Sequence, residues 1–160
     1  MTQMYEEIII KTRRCCAIKK ILTFALIVSF VFILIGCNRQ EKAKEDIIDL
    51  VEENYDAILK ACEDKDENAL LSIKGITQVN IVDGYVIVFC KGAGIAPSSQ
   101  DYGFYYSEGN IPVGVGYGPH IVCKIEDMTP DGNGYKGIVD GNSFYTEHIK
   151  GNVYFYSNAY

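Results

Sequence analysis

The chain has 160 residues, with 21 acidic against 15 basic side chains and 48% hydrophobic residues, a length that suits one domain. Acidic side chains repel phosphate backbones, so this composition argues against nucleic acid as a partner. The hydrophobic residues are unevenly spread, and they divide the chain into an apolar leader and an acidic remainder.

An apolar segment dominates the leader. Residues 21–35 read ILTFALIVSFVFILI, fifteen residues without a charge, and five basic residues precede them: Lys11, Arg13, Arg14, Lys19 and Lys20. This order is typical of the charged and apolar regions of an export signal. As a helix, fifteen residues measure about 22 Å, whereas the hydrocarbon core of a bilayer is about 30 Å thick. The segment is therefore short for a permanent membrane span.

The next four residues resemble the lipobox of bacterial lipoprotein signals. They read Leu34-Ile35-Gly36-Cys37: two aliphatic residues, a small residue and a cysteine. In that family the cysteine thiol takes a diacylglyceryl group, and a peptidase cuts the chain immediately before the cysteine. Two acyl chains hold a protein stably at a membrane. The resemblance implies cleavage between Gly36 and Cys37, followed by anchoring through lipid on Cys37.

An uncleaved single-pass helix, with Cys37 incidental, is the alternative. Both alternatives place the domain on the outer, extracytoplasmic face of the cell membrane, because positive charge before the apolar segment keeps the N-terminus inside. The expected organisation is a signal peptide over residues 1–36, a lipidated cysteine with a short tether over residues 37–44, and one domain over residues 45–160. From Cys37 onward there are nineteen acidic and ten basic residues, a net charge of about −9.

The domain opens with helical periodicity. From Glu41 to about Asp64, apolar residues recur at three- and four-residue spacing, which predicts an amphipathic helix with acidic residues on its outer face. A second, shorter helix is expected over Glu67–Ile73, ended by Gly75. The apolar stripe of the first helix consists of Ile47, Ile48, Val51, Tyr55, Ile58, Leu59 and Cys62.

The pattern then changes to a period of two residues. Tyr85–Cys90 is apolar on both faces of a strand, which predicts a central position in a sheet. Asp83-Gly84 favours a hairpin back to Ile76–Val82. Short turns make successive strands antiparallel, so the expected fold class is α+β, with the N-terminal amphipathic helix packed on an antiparallel β-meander of about six to eight strands. The other predicted strands are Tyr102–Ser107, Ile111–Tyr117, Ile121–Asp127, Gly134–Asp140, Ser143–Lys150 and Asn152–Ser157.

Four segments of this region carry a second resemblance. They read KGAGIAPSS from Lys91, YGFYYS from Tyr102, FYTEHI from Phe144 and YFY from Tyr154. Together they are similar to a family of small proteins, often lipoproteins, of low-GC Gram-positive bacteria. The resemblance covers roughly residues 76–160 and implies a shared fold. It supplies neither a mechanism nor catalytic residues.

The aromatic clusters are the most unusual feature of the predicted sheet. Because consecutive strand residues alternate faces, some of these rings are expected to point away from the helix-facing core. Tyrosine, with an apolar ring and a polar tip, suits a binding surface, although ordinary packing within the sheet is the alternative. The predicted binding surface consists of Tyr102, Phe104, Tyr106, Tyr154 and Tyr156, together with Ser98 and Ser99 at the end of a glycine-rich loop.

Metal sites are not expected. Asp131 and Asn133 alternate like the first ligands of a calcium loop, but the later acidic ligand of such a loop is missing. A hairpin turn is the better interpretation. His120 and His148 do not have the spacing of zinc ligands.

Three cysteines follow the anchor: Cys62, Cys90 and Cys123. Either Cys90 and Cys123 form a disulfide, or all three are buried as small hydrophobic residues. With no catalytic constellation and no cofactor motif, the expected function is a non-enzymatic, membrane-anchored binding module. Its partner would be a protein or a cell-envelope ligand. The alternative is an inhibitor or immunity-type lipoprotein that acts on a basic toxin or a cell-wall enzyme.

The lipobox generates the first prediction. In the Cys37→Ala variant the thiol that accepts lipid is absent, so we expect no incorporation of labelled fatty acid and an accumulated precursor that retains residues 1–36. Mass spectrometry of the protein from membranes measures both effects. Unchanged processing of the variant would show that the lipobox assignment is wrong.

Overall fold

The structure is a computed structural model that describes residues 41–93, 99–116, 118 and 120–159. The predicted signal peptide, the predicted lipidation site at Cys37 and the loop residue Ser98 lie outside the described residues. Residues Ala43–Tyr160 form one compact unit.

Among the described residues, three helices precede the strands. They are α1 (residues 41–53), α2 (Tyr55–Glu63) and α3 (Glu67–Leu71). The predicted first helix is thus interrupted at Asn54, whose side chain donates a hydrogen bond to the Leu50 carbonyl at 2.9 Å. Because asparagine can bond to the backbone of the preceding turn, it favours such a break. Asp66 caps α3 by accepting a hydrogen bond from the backbone N–H of Ala69 at 3.0 Å.

Seven strands form one antiparallel sheet in the order β1-β2-β3-β9-β8-β7-β6. The predicted α+β class with a large antiparallel sheet is confirmed. The sheet joins two meanders, β1-β2-β3 and β6-β7-β8-β9, through the pairing of β3 with β9. Its strands are β1 (Gln78–Val82), β2 (Tyr85–Ala93), β3 (Gln100–Ser107), β6 (Thr129–Asp131), β7 (Gly134–Val139), β8 (Asn142–Lys150) and β9 (Val153–Ala159).

The remaining two strands do not join this sheet. β4 (Val113–Gly116) and β5 (His120–Lys124) pair only with each other and form a two-stranded ribbon, called the ribbon below. The predicted strand Ile121–Asp127 ends earlier than expected, because Ile125–Asp127 form a 3-10 turn. The short edge strand β6 was not predicted from the sequence. It contains Pro130, a residue that strands tolerate at sheet edges.

Each face of the sheet has its own core. On one face, buried residues of the helices pack against β1, β2, β3 and β9, and we call this the helix-side core. On the other face, Val113 and Val115 of the ribbon pack against Ile87, Tyr105 and Tyr156, and we call this the ribbon-side core. The central strands are therefore covered on both faces, which explains why they are apolar on both.

The close approach of strands at Gly103 generates the second prediction. A Cβ atom there would lie 1.9 Å from the Val88 carbonyl oxygen and 2.8 Å from the Tyr156 ring. Since a backbone oxygen in a central strand cannot move aside cheaply, Gly103→Ala should destabilise the domain by about 3 kcal/mol, at the upper end of overpacking costs. Denaturant unfolding followed by circular dichroism measures the change.

The matched control is the same substitution in the β3–β4 connection. A Cβ atom on Gly109 would meet only Ile111, at 3.5 Å, so Gly109→Ala should change the free energy of unfolding by less than about 0.5 kcal/mol. Similar effects of the two substitutions would contradict the close contact of Gly103 with Val88 and Tyr156.

Candidate functional site

The five aromatic residues of the predicted binding surface are all buried. Tyr102, Phe104 and Tyr106 of β3 belong to the helix-side core, and Tyr154 and Tyr156 of β9 belong to the ribbon-side core. The most exposed of the five retains 7% of its accessible surface. Of the two interpretations, ordinary packing within the sheet is therefore the one that this burial supports. The rings do not form an open contact surface in this conformation, and of the two predicted serines only Ser99 is described, half-buried just before β3.

The ribbon is the reason for this burial. β4 lies directly on the sheet, with Val113 and Val115 almost fully buried. A Cβ atom on Gly114 would lie 2.6 Å from the ring of Phe144 on β8. Glycine at this position therefore lets the backbone of β4 come close to the aromatic ring. The sheet face that the sequence leaves open is thus covered by a segment of the same chain.

A buried hydrogen-bond chain joins the ribbon to the sheet. The Tyr105 hydroxyl accepts a hydrogen bond from the backbone N–H of Val113 at 2.9 Å and lies 2.8 Å from the Thr146 hydroxyl. Thr146 in turn donates to the Phe155 carbonyl at 3.1 Å. Burial raises the pKa of the Tyr105 hydroxyl well above its usual range, so this hydroxyl keeps its proton at neutral pH. Each polar group in this hydrogen-bond chain has a partner, as a buried network requires.

Further side chains hold the strand connection and the far end of β4. The Tyr154 hydroxyl donates to the Asn110 side-chain oxygen at 2.7 Å, and its ring stacks on Tyr105 with centroids 5.2 Å apart. The Asn158 amide donates to the Val115 carbonyl at 3.4 Å. Side chains of the sheet thus bond to the ribbon at positions where a strand ladder would use backbone groups.

The three cysteine thiols among the described residues are free. Cys62 and Cys90 are buried, Cys123 is half-buried, and none forms a disulfide. The possible bridge between Cys90 and Cys123 is therefore absent, because Cys90 faces the helix-side core while Cys123 lies on the outer strand of the ribbon. Burial raises the pKa of the Cys62 and Cys90 thiols to about 12. At neutral pH both are protonated and poor nucleophiles, since the thiolate is the reactive form.

The histidines and the acidic turn lie apart. His148 packs edge-on against Tyr154, with ring centroids 5.2 Å apart, and its Nε2 lies 2.8 Å from the Gly151 carbonyl. His120 begins β5 and is exposed. Asp131 pairs with Gly134 across a tight turn between β6 and β7, so the turn interpretation is confirmed. Within the described ranges, no three His, Cys, Asp or Glu side chains come together as a metal site would require.

A half-buried ion pair attaches α1 to the sheet. The Lys44 ammonium bonds to the Glu147 carboxylate, and the Tyr145 hydroxyl donates to the same carboxylate at 2.5 Å. Burial and the neighbouring Glu147 raise the pKa of Tyr145. Asp46, on the other side of the helix, forms an ion pair with Lys91 of β2 at 2.7 Å. Sequence inspection missed both ion pairs, because their partners are 45 and 103 residues apart.

The outer face of the helices is the most charged surface in the described part of the chain. Residues 41–71 contain eleven acidic and four basic side chains. The ten acidic residues that follow Glu41 in this range are all exposed. They are Glu45, Asp46, Asp49, Glu52, Glu53, Asp56, Glu63, Asp64, Asp66 and Glu67. This set, which we call the acidic helix face, is the feature most able to discriminate between partners by charge.

Comparison with known proteins adds no further assignment. No protein-family model matches this chain, and neither a curated protein nor a solved structure matches it. Among the described residues, no helix is both long enough and apolar enough to cross a membrane.

The buried hydrogen-bond chain generates the third prediction. Tyr105→Phe leaves the Val113 N–H without its acceptor and removes one of the two partners of the Thr146 hydroxyl, so the domain should lose about 1–3 kcal/mol of stability. Hydrogen exchange should also speed up at Val113 and Val115, because the ribbon loses a point of attachment. Denaturant unfolding and exchange mass spectrometry measure the two effects.

Tyr85→Phe is the matched control, since Tyr85 lies half-buried against the same core. It should shift the stability by less than about 0.5 kcal/mol and leave exchange in the ribbon unchanged. If Tyr105→Phe behaved like this control, the network would not be what attaches the ribbon.

Proposed function

We propose that this chain is a lipoprotein, anchored through Cys37 on the outer face of the cell membrane, whose acidic domain binds another molecule and does not catalyse a reaction. The anchor is supported by the lipobox, Leu34-Ile35-Gly36-Cys37, after an apolar segment too short to span comfortably. Because the net charge of the domain is negative, it is repelled by anionic lipid, and anchoring depends on the acyl chains.

The observation that carries the binding proposal is the acidic helix face. The tyrosines of the predicted binding surface are buried on both faces of the sheet, whereas the carboxylates of α1, α2 and α3 are exposed. A surface of one charge attracts a partner of the opposite charge and speeds its association. The partner class that this surface fits is therefore a basic extracytoplasmic protein.

The acidic helix face also favours a narrower second candidate. A small acidic protein that covers the basic surface of a toxin or cell-wall enzyme acts as its inhibitor or immunity protein. Binding alone and binding with inhibition share the same surface. They differ in whether the captured partner has an activity that the lipoprotein suppresses.

The fourth prediction tests this surface by changing its charge. Glu52→Gln, Glu53→Gln, Asp56→Asn and Glu63→Gln together remove four negative charges from the acidic helix face. Retention of basic envelope proteins on the immobilised mature lipoprotein should fall about tenfold, which corresponds to roughly 1.4 kcal/mol. Retention by the unaltered protein should fall similarly on going from 50 mM to 500 mM salt, since exposed charges are screened over about 10 Å at 0.1 M.

The matched control removes the same charge elsewhere. Asp83→Asn, Glu126→Gln, Asp127→Asn and Asp140→Asn alter four exposed acidic residues outside the helices and should reduce retention less than twofold. Equal losses in the two variants would mean that only net charge matters and that the helix face is not the contact surface. Suppression of the enzymatic activity of a retained protein would identify the inhibitor function.

A further inference from the structure

The distance between the lipidation site and the folded core is short. Only residues 38–42 separate Cys37 from Ala43, the first residue of the helix-side core. Even fully extended, this length of chain spans at most about 22 Å. If Cys37 carries the lipid, the end of the sheet over which α1 begins must lie near the bilayer.

The contacts of α1 show which end of the sheet that is. Lys44 bonds to Glu147 and lies 5.7 Å from the centre of the Tyr145 ring, while Asp46 pairs with Lys91. Tyr145 and Lys91 belong to one row of the sheet, because both align with the paired residues Tyr102 and Ser157 of the strands between them. We call this the Lys91 end.

The following residues, through α2, lie at the opposite end of the sheet. A Cβ atom on Gly151, in the β8–β9 turn, would lie 2.2 Å from the Tyr55 hydroxyl, so Tyr55 of α2 sits directly on that turn. Beyond α2, Lys65 pairs with Glu108 at 3.1 Å. The Glu108 N–H also bonds to the Gly84 carbonyl, which places the β1–β2 turn here too. We call this the Gly151 end. The six residue steps from Tyr145 to Gly151 correspond to about 20 Å.

We propose that the lipidated protein stands on the membrane with its Lys91 end toward the lipid headgroups and its Gly151 end pointing away. This orientation rests on the proposed lipid anchor and adds to it the surface of the domain that meets the bilayer.

The charge distribution supports the same orientation. At the Lys91 end, three ion pairs neutralise acidic side chains, Lys44 with Glu147, Lys91 with Asp46 and Lys136 with Asp131, and Asp140 of the β7–β8 turn is exposed there. Residues 52–67, which extend toward the Gly151 end, contain seven acidic and two basic side chains. The negative potential of an anionic membrane decays over about a Debye length. Standing upright therefore removes the most acidic segment from the repulsive region.

The orientation also bears on binding. It keeps the acidic helix face beyond α1 accessible to a partner arriving from outside the cell. The competing arrangement is a domain lying flat on the β6–β7 edge, where Ile138 is 75% exposed. In that arrangement both ends of the sheet would lie at similar heights above the lipid.

The fifth prediction compares the heights of the two ends of the sheet above the membrane by fluorescence energy transfer. Single fluorophores are attached at Ser143→Cys, beyond the Lys91 row, or at Asp83→Cys, in the β1–β2 turn, each in a Cys123→Ser background. The buried Cys62 and Cys90 thiols, with pKa values of about 12, remain unlabelled at neutral pH. The two sites are about 23 Å apart along the strands. The mature lipoprotein is placed in vesicles of phosphatidylethanolamine and phosphatidylglycerol that contain a headgroup-labelled acceptor lipid.

Transfer efficiency from position 143 should be at least twofold higher than from position 83. Equal or reversed efficiencies in acylated, vesicle-bound protein would overturn the proposed orientation. Inserting fifteen Gly and Ser residues between Arg39 and Gln40 should equalise the two efficiencies, because a long tether no longer restrains the domain. A difference that survives the insertion would overturn the tether as its cause.

Mass spectrometry of the same preparation separates this outcome from failure of the anchor. Mature protein without acyl chains on Cys37 would contradict the proposed function itself. Acylated protein with the wrong order of transfer efficiencies would contradict only the orientation. Circular dichroism of both labelled variants checks that each retains the fold.

Discussion

The structure depends on covering both faces of its two central strands. β3 and β9 pair with each other at the middle of the sheet, and each carries large aromatic side chains on both faces. One layer of helices can bury only one of these faces. Burying a large aromatic residue contributes several kcal/mol through the hydrophobic effect, so an uncovered second face would leave a large apolar patch in water. The ribbon removes that patch.

Covering the second face creates a polar problem that the sheet solves with side chains. β4 pairs with β5 along one of its edges and does not join the large sheet. The backbone groups on its other edge therefore have no strand ladder and need other partners. Tyr105 and Asn158 bond to the backbone of β4 instead. The hydroxyl of Tyr105 is therefore structural, although tyrosine in a sheet suggests a binding surface on composition alone. An unpaired amide at this depth would cost about 1–3 kcal/mol, which makes the ribbon and the network interdependent.

With the aromatic residues buried, charge becomes the distinguishing property of the surface. The helices separate apolar from acidic side chains so completely that one side enters the helix-side core and the other faces water. A short tether between Cys37 and Ala43 would limit how such a domain can turn at a membrane. The proposed partner chemistry and the proposed orientation both follow from this separation of charge.

Local patterns determined much of the fold. The three- and four-residue spacing of apolar residues such as Ile47 and Val51 predicted the helical region, and alternation predicted most strands to within two or three residues of their ends. The break at Asn54 and the three-residue strand β6 were missed, because a single side-chain bond and three paired residues leave little periodic signal. The joining of the two meanders through β3 and β9 was not predicted either, since pairing between distant strands has no local signature.

The sequence by itself determined the order of the segments, the α+β class and the acidic charge of the domain, because each follows from neighbouring residues or from composition. Tertiary structure alone decided that the tyrosines are buried, that Cys90 and Cys123 lie apart, and that Lys44 meets Glu147. Alternation along a strand separates its two faces, but it does not reveal whether water or another part of the chain covers each face. That depends on where the ribbon packs, and so on contacts between residues far apart in the sequence.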